Sequence, residues 1–329
     1  MSRGFITMGM SDIILKLDVL GKGILAADES IPTIKSRFES VSITSTPETR
    51  HDYRHTIFST KGLQEFISGV ILFDETINNE ATIKPLIDSK IALGIKVDTG
   101  AKPYNSHMQG ERFTEGLDGL SERLRGYKRL GAEFAKWRTV LAPKTTVNCL
   151  RANANALAIY AKKCQKEGIV PIIEPEILMD GNHGALKSFN ITEHCLHCVF
   201  HELWKERVEL ESIILKPNMV VSGYKNEKRI RPEVVAELTI ACFKRTVPSA
   251  VPIIAFLSGG QPSDESVQNL NAMNQESPDL FHSWYLTFSF GRELQKSALK
   301  QWSLGHKDEA QKQLLKKAKD CSNATWGEL

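Results

Sequence analysis

No apolar run in this chain approaches the ~20 residues that a bilayer-crossing helix needs, so a membrane protein is not expected. Charge of one sign is scarce as well. The formal net charge is +3, and lysines and arginines are interleaved with acids rather than gathered in a basic block. That excludes nucleic acid as an expected partner, although local positive charge could still attract a small anion. The six cysteines of the 329 residues are scattered, which suits a reduced, cytoplasmic protein better than a disulfide framework. One cluster, His194-Cys195-Leu196-His197-Cys198, sits in a helical-looking segment without a second Cys or His pair at ligand spacing, so no metal is assigned to it. No G-x-G-x-x-G follows the first apolar run, because Gly21-Lys22-Gly23 precedes it; no dinucleotide and no other cofactor is expected. The first twenty residues lack a long apolar core and a small-residue cleavage site. Ile13, Ile14, Leu17 and Leu20 recur there at helical spacing, predicting a surface helix over about 11–20. No Ser/Gly/Pro-rich linker and no internal repeat divides the chain, so one domain over 1–329 is expected, with a short helical tail from about 295 that frays over 321–329.

What is present is a regular alternation. Short apolar runs occur at Gly23–Ala27, Val70–Phe73, Ala92–Val97, Phe134–Leu141, Ile169–Ile173, Ile213–Leu215, Ile253–Leu257 and Tyr285–Phe290. Helical periodicity fills stretches between them, such as Leu120–Gly131, Ala152–Glu167 and Pro232–Arg245. Eight β–α units imply a parallel sheet, and their spacing fits an α/β fold of the (β/α)8 TIM-barrel kind better than an open sheet.

In such a barrel the chemistry gathers where strands end, and polar residues gather there. The first run ends in Asp28-Glu29-Ser30, the third carries Lys96 and then Asp98, and the fourth places Lys136 and Arg138 two apart on one face. The fifth ends in Glu174-Pro175-Glu176, the sixth gives Lys216 before Pro217 and Asn218, and the eighth carries Ser289, Gly291 and Arg292. A lysine at the inner end of a buried strand costs several kcal/mol unless paired or neutral. It can be one half of an interior salt bridge, or an amine whose proton is disfavoured by neighbouring cations and which attacks a carbonyl. In the second case Lys136 and Lys96 supply the positive potential, and Glu174 or Glu176 supplies the proton that dehydrates a carbinolamine. The turns Ser258-Gly259-Gly260 and Phe290-Gly291-Arg292 suit phosphate, held by backbone N–H groups and a guanidinium.

The chain also resembles a known family, class I (Schiff-base, metal-independent) fructose-1,6-bisphosphate aldolase. The matching stretches are GKGILAADES (21–30), GVILFDET (69–76), GIKVD (94–98), GLDGLSER (116–123), FAKWR (134–138), GIVPIIEPEIL (168–178), LKPNMV (215–220), FLSGGQ (256–261) and FSFGR (288–292), in order along most of the chain. The resemblance implies a lyase of glycolysis and gluconeogenesis. It would reversibly split fructose 1,6-bisphosphate into dihydroxyacetone phosphate and glyceraldehyde 3-phosphate. On matching positions it implies Lys216 as the imine-forming nucleophile, Glu174 as the acid/base of carbinolamine formation and dehydration, and Glu176 as its partner. Lys136 would stabilise charge and aid proton transfer, and Asp28 would accept the proton of the C4 hydroxyl. It implies phosphate binding by Ser258, Gly259, Ser289, Gly291 and Arg292 on the ketone side, and Ser30, Arg37, Lys96 and Arg138 around the rest of the bisphosphate. It further implies sugar phosphates as ligands, a homotetramer and no metal.

Two departures from the family pattern stand out. After Ser30 the familiar T-G-S is replaced by Ile31-Pro32-Thr33, and Ser36 stands where lysine is common, so preference between one- and two-phosphate sugars is left open. The sequence ends Trp326-Gly327-Glu328-Leu329 without the terminal tyrosine of many members, which predicts that an internal acid or water protonates the enamine. Two alternatives accompany the main reading: the same Schiff base acting on fructose 1-phosphate or sedoheptulose 1,7-bisphosphate, and an aldolase-like scaffold that binds cytoskeletal or acidic partners.

Overall fold

A computed structural model describes residues 9–104, 110–262, 264–275 and 282–329. Eight parallel strands close a barrel: β1 (Gly23–Ala27), β2 (Ile67–Leu72), β3 (Ala92–Lys96), β6 (Phe134–Leu141), β7 (Val170–Ile177), β8 (Ile214–Leu215), β9 (Ile253–Phe256) and β10 (Tyr285–Phe290). Each pairs with its neighbour in sequence, and β10 pairs back onto β1, Ile24 with Ser289 and Leu25 with Phe290. Between β3 and β6 a small antiparallel hairpin, β4 (Gly100–Pro103) and β5 (Arg112–Glu115), stands outside the ring. The helices are α1 (Met10–Leu17), α2 (Ile31–Glu39), α3 (Pro47–Phe58), α4 (Asp74–Ile77), α5 (Glu80–Asp88), α6 (Leu120–Arg129), α7 (Val147–Lys166), α8 (Ala185–Lys205), α9 (Pro232–Thr246), α10 (Glu265–Asn274), α11 (Arg292–Ser303) and α12 (Lys307–Trp326).

Strands covered on both faces read as continuous apolar runs, which is how these runs betray themselves in the sequence. Their side chains nevertheless divide by parity. Ile24 and Ala26 of β1, Val170 and Ile172 of β7, and Ile253 and Ala255 of β9 point into the barrel and pack together with Ile71, Ala92, Phe134 and Ile214. Their odd-numbered or even-numbered neighbours, such as Leu25, Ile173 and Ile254, face the helices. Gly94 makes room inside, since a Cβ there would lie 2.1 Å from the Phe134 ring. The ring of Phe134 therefore fills the floor of the barrel in place of a second side chain.

Three expectations need correction. The first helix is no surface helix: Ile13, Ile14 and Leu17 are buried and join the interior cluster, so α1 plugs the N-terminal mouth of the barrel. Its amphipathic period is equally consistent with lying on the outside, and only barrel closure creates the hole it fills. The fifth strand, expected to end in Glu174-Pro175-Glu176, ends one residue later at Ile177, which pairs with Leu141 of β6. The C-terminus does not fray from Cys321; α12 continues to Trp326, with Cys321, Ala324 and Thr325 buried. Lys317 of α12 ion-pairs with Asp264 and, at 2.6 Å, with Glu293, locking the helix to the starts of α10 and α11.

The His194–Cys198 cluster lies on α8, with Cys195 buried against α9, near Cys242. All six cysteines are free thiols.

Candidate active site

The parity that sorts the core also builds the site. Continuing the inward series above the plugged floor gives Asp28 after Ile24 and Ala26, Lys96 after Ala92 and Gly94, and Lys136 and Arg138 after Phe134. It gives Glu174 and Glu176 after Ile172, Lys216 after Ile214, and Ser289 after Tyr285 and Thr287. All eight line one cavity of about 1000 Å³ at the C-terminal mouth of the barrel, joined by Ser30, Arg37, Ser258, Gly259, Gly291 and Arg292. All fourteen residues nominated from the sequence thus meet in one place.

At its base four titratable groups form a chain. Lys216, 4% exposed, lies with its Nζ 3.3 Å from Glu174 Oε1. The other oxygen of Glu174 is 3.4 Å from Lys136 Nζ, and Lys136 reaches Asp28 Oδ2 at 2.7 Å. Glu174 Oε2 is buried and makes no hydrogen bond of good geometry among the described residues, so it can bond to a group entering the cavity. Lys216 is fixed from behind by its own N–H, which donates to Ile173 O at 2.8 Å.

The electrostatics assign protons to two members. Burial alone would raise the Asp28 carboxyl, but Lys136 and Lys216 outweigh it and hold its pKa down at about 2. Burial likewise opposes the Lys136 ammonium, yet Asp28, Glu174 and Asp98 together hold its proton more tightly than in an ordinary lysine. The resting pair is therefore carboxylate and ammonium.

Around this base Lys96, Arg138 and Arg37 are already engaged. Lys96 binds Asp98 through its carboxylate at 2.5 Å and its carbonyl oxygen at 2.7 Å. Arg138, its side chain 41% exposed, pairs with Glu176, and Arg37 pairs with Glu29. The cationic lining given by these residues is thus matched by carboxylates. The expected contribution of Lys96 to positive potential is offset locally by Asp98.

Sequence reasoning left three participants without a role. Glu29 anchors Arg37 and is itself held by Gln295 Nε2 at 3.0 Å, a residue of α11. Asp98 receives Lys96 and also the backbone N–H of Arg138 at 3.3 Å. Their adjacency to Asp28 and Lys96 was the available signal. Tyr224, which lines the same cavity, lies in a loop with no pattern to announce it.

The second-phosphate departure has a structural counterpart. Pro32 and Thr33 begin α2 and line the cavity, and Thr33 Oγ1 lies 3.0 Å from Ser30 Oγ. A hydroxyl pair is therefore present where the family pattern differs. On the neighbouring strand β10, Ser289 Oγ is buried with no hydrogen-bond partner among the described residues, open to an incoming acceptor or donor.

Known proteins share this arrangement of chain. A family model described as fructose-bisphosphate aldolase class-I matches residues 10–329. The probable fructose-bisphosphate aldolase class 1 of Xanthomonas campestris is 45% identical over 320 residues, covering 93% of this chain and 94% of that protein. The fructose-bisphosphate aldolase of Plasmodium falciparum is 45% identical over 326 residues, covering 95% of this chain and 87% of that one. A solved structure of fructose-bisphosphate aldolase from Plasmodium falciparum, in a ternary complex with TRAP and a small-molecule inhibitor, superimposes with a TM-score of 0.93. It is 43% identical, and the match covers 97% of this chain and 94% of that chain. The chain therefore belongs to the class-I fructose-bisphosphate aldolase family.

Proposed function

We propose that this protein reversibly cleaves fructose 1,6-bisphosphate to dihydroxyacetone phosphate and glyceraldehyde 3-phosphate through an imine on Lys216. The observation that carries the reading is the buried chain Lys216–Glu174–Lys136–Asp28, an amine, two carboxylates and an ammonium within ion-pair distance in succession.

The steps follow from that order. The neutral amine of Lys216 adds to the C2 carbonyl carbon, and the carbinolamine expels its hydroxyl as water when Glu174 supplies the proton. The protonated imine then draws electrons. Asp28 removes the C4 hydroxyl proton, the C3–C4 bond breaks, its electron pair flows into the imine, and the aldehyde leaves. Protonation of the resulting enamine at C3 and hydrolysis return the amine and release the ketone product. Lys136, held as an ammonium, orients Asp28 and Glu174 and balances their charge throughout. Glu176 fixes Arg138 beside them. Ser258, Gly259, Ser289, Gly291 and Arg292 take the ketone-side phosphate, while Ser30, Arg37, Lys96 and Arg138 face the remainder of the sugar. In a mechanism whose electron sink is an imine, no metal is needed.

The test is borohydride reduction with dihydroxyacetone phosphate, intact mass and peptide mapping, with cleavage assayed with and without EDTA. A single adduct on Lys216 and EDTA-insensitive cleavage are expected. The reading fails if no adduct maps to Lys216, or if Lys216→Ala keeps its activity. Rates on fructose 1-phosphate and sedoheptulose 1,7-bisphosphate rank the alternatives, and the Ser30–Thr33 hydroxyl pair favours a two-phosphate sugar.

The same reading makes the chain one catalytic domain. The family resemblance supports a homotetramer, which sedimentation velocity would check. Six free thiols support a reducing, cytoplasmic setting.

A further inference from the structure

The turn after β9 is closed by the Gln261 N–H donating to Ser258 O at 3.0 Å, with positive φ at both central glycines, +56° at Gly259 and +76° at Gly260. A side chain is excluded at Gly260 for a second reason. A Cβ there would lie 2.8 Å from the Tyr224 hydroxyl and 3.6 Å from a guanidinium nitrogen of Arg292. Two donors thus converge over the bare backbone of this turn, one from the loop after β8 and one from the start of α11.

The position of Tyr224 is built rather than incidental. Its loop is laced to the loop after β7 by three backbone hydrogen bonds, from Gly223 N to His183 O, Tyr224 N to Met179 O and Lys225 N to Gly181 O, each 2.9 Å. The Asn226 side chain adds a bond to Asn182 O at 2.7 Å. Gly223 permits the approach, because a Cβ there would meet Gly181 O at 2.4 Å. Among the described residues no hydrogen bond or ion pair engages the Tyr224 hydroxyl or the Arg292 guanidinium. Burial first, then Glu176 and Asp180, push the Tyr224 hydroxyl up to about 12, so it remains a donor at neutral pH.

We infer that Tyr224 is a binding residue for the phosphate monoester at the ketone end of the substrate, its hydroxyl donating to the anion beside Arg292 and the 258–260 turn. This deepens the aldolase reading and rests on it. A hydroxyl on a ring seated by two crosslinked loops gives direction to the contact, whereas Arg292 and the turn supply charge and backbone donors. The phosphate would then be gripped from β8, β9 and β10 at once, with Lys216 rooted in the first of these strands.

Tyr224→Phe tests this in the full chain, since it keeps the ring and removes only the hydroxyl. Titration with inorganic phosphate should show binding weakened by about tenfold, the size expected for a hydrogen bond to a charged group. The concentration of dihydroxyacetone phosphate that half-saturates borohydride trapping should rise similarly, while that of unphosphorylated dihydroxyacetone stays unchanged. Unaltered phosphate affinity, or an equal shift for both ketones, overturns the inference. Arg292→Ala separates the layers. If it weakens phosphate while Tyr224→Phe does not, the turn binds the anion without Tyr224; if neither does, the anion lies elsewhere and the inference falls too. Absence of any Lys216 adduct in the unmodified protein would sink the aldolase reading itself, whereas the phosphate titration would still decide on Tyr224.

Discussion

At the scale of single residues the site works by opposed burial and charge. Asp28 is the sharpest case, since its carboxyl is held at about 2 by Lys136 and Lys216 against the pull of burial. A carboxyl whose pKa is lowered on folding stabilises the fold at pH values above its unfolded value of about 3.9, and that contribution is lost as pH falls through the folded one. The contribution is of order 2 kcal/mol. Urea unfolding of the wild type and Asp28→Asn should therefore differ at pH 5 to 7, and the gap should close between about pH 4 and 2. A gap that persists unchanged at pH 2 would mean that Asp28 is not held ionised by these lysines. The same pairing predicts that the acid limb of kcat/KM belongs to another group, because Asp28 is already ionised at any working pH. Asp28→Asn should lower kcat by about 10²–10⁴, the range for a lost proton-transfer group, while the Lys216 adduct still forms, because imine formation does not use Asp28. Lys136→Met is expected to be harsher on the fold. It leaves two buried carboxylates facing each other without their shared cation, at a cost of about 3–5 kcal/mol.

At the scale of elements, most strands and the inward parity of their last residues are legible in the amino-acid order alone, because a strand buried on both faces must be apolar throughout. Lys136 with Arg138, and Glu174 with Glu176, are readable as same-face pairs for that reason. What is not legible depends on neighbours distant in sequence. The length of β7 rests on pairing all eight of its residues with β6, Arg138 opposite Glu174 and Val140 opposite Glu176. The burial of α1 rests on a hole that exists only when eight strands close. Tyr224 is invisible because its place is fixed by backbone bonds between two loops, which leave no mark on side-chain pattern. The plug role of α1 makes its own prediction. Leu17→Ala removes a side chain packed against the interior near Gly69, and should cost about 2–5 kcal/mol of stability. It should leave KM for the bisphosphate unchanged, because the helix lies at the opposite mouth from the cavity. Guanidinium unfolding with parallel steady-state kinetics checks both halves, and a raised KM with normal stability would show that α1 acts on the site instead.

At the scale of the molecule, the barrel is joined by its first and last strands. Tyr285 donates its hydroxyl to Val19 O at 2.9 Å and Lys22 O at 2.7 Å, and Thr287 Oγ1 reaches Lys22 O at 2.7 Å, so β10 clasps the entrance to β1. Closure therefore waits on contacts between the two ends of the chain, the costliest kind to form in entropy. The site inherits that dependence. Asp28 directly follows β1, and its next residue Glu29 is held by Gln295, which also binds Ala26 O at 2.9 Å from α11. A chain cut after residue 282 keeps Asp28, Lys136, Glu174, Glu176 and Lys216, the five residues assigned to the chemistry, yet lacks β10, α11 and α12. Without β10 the edges of β1 and β9 expose unpaired backbone groups, and the interior cluster opens to water. Such a fragment should show no cooperative unfolding and no borohydride adduct on Lys216, although its local sequence around that lysine is intact. Trapping an adduct on the fragment at the wild-type rate would show that β6, β7 and β8 suffice to arrange the amine and its carboxylate. Failure to trap it, with the adduct restored by adding residues 283–329 as a separate chain, would show that the reactive lysine is a property of the closed barrel.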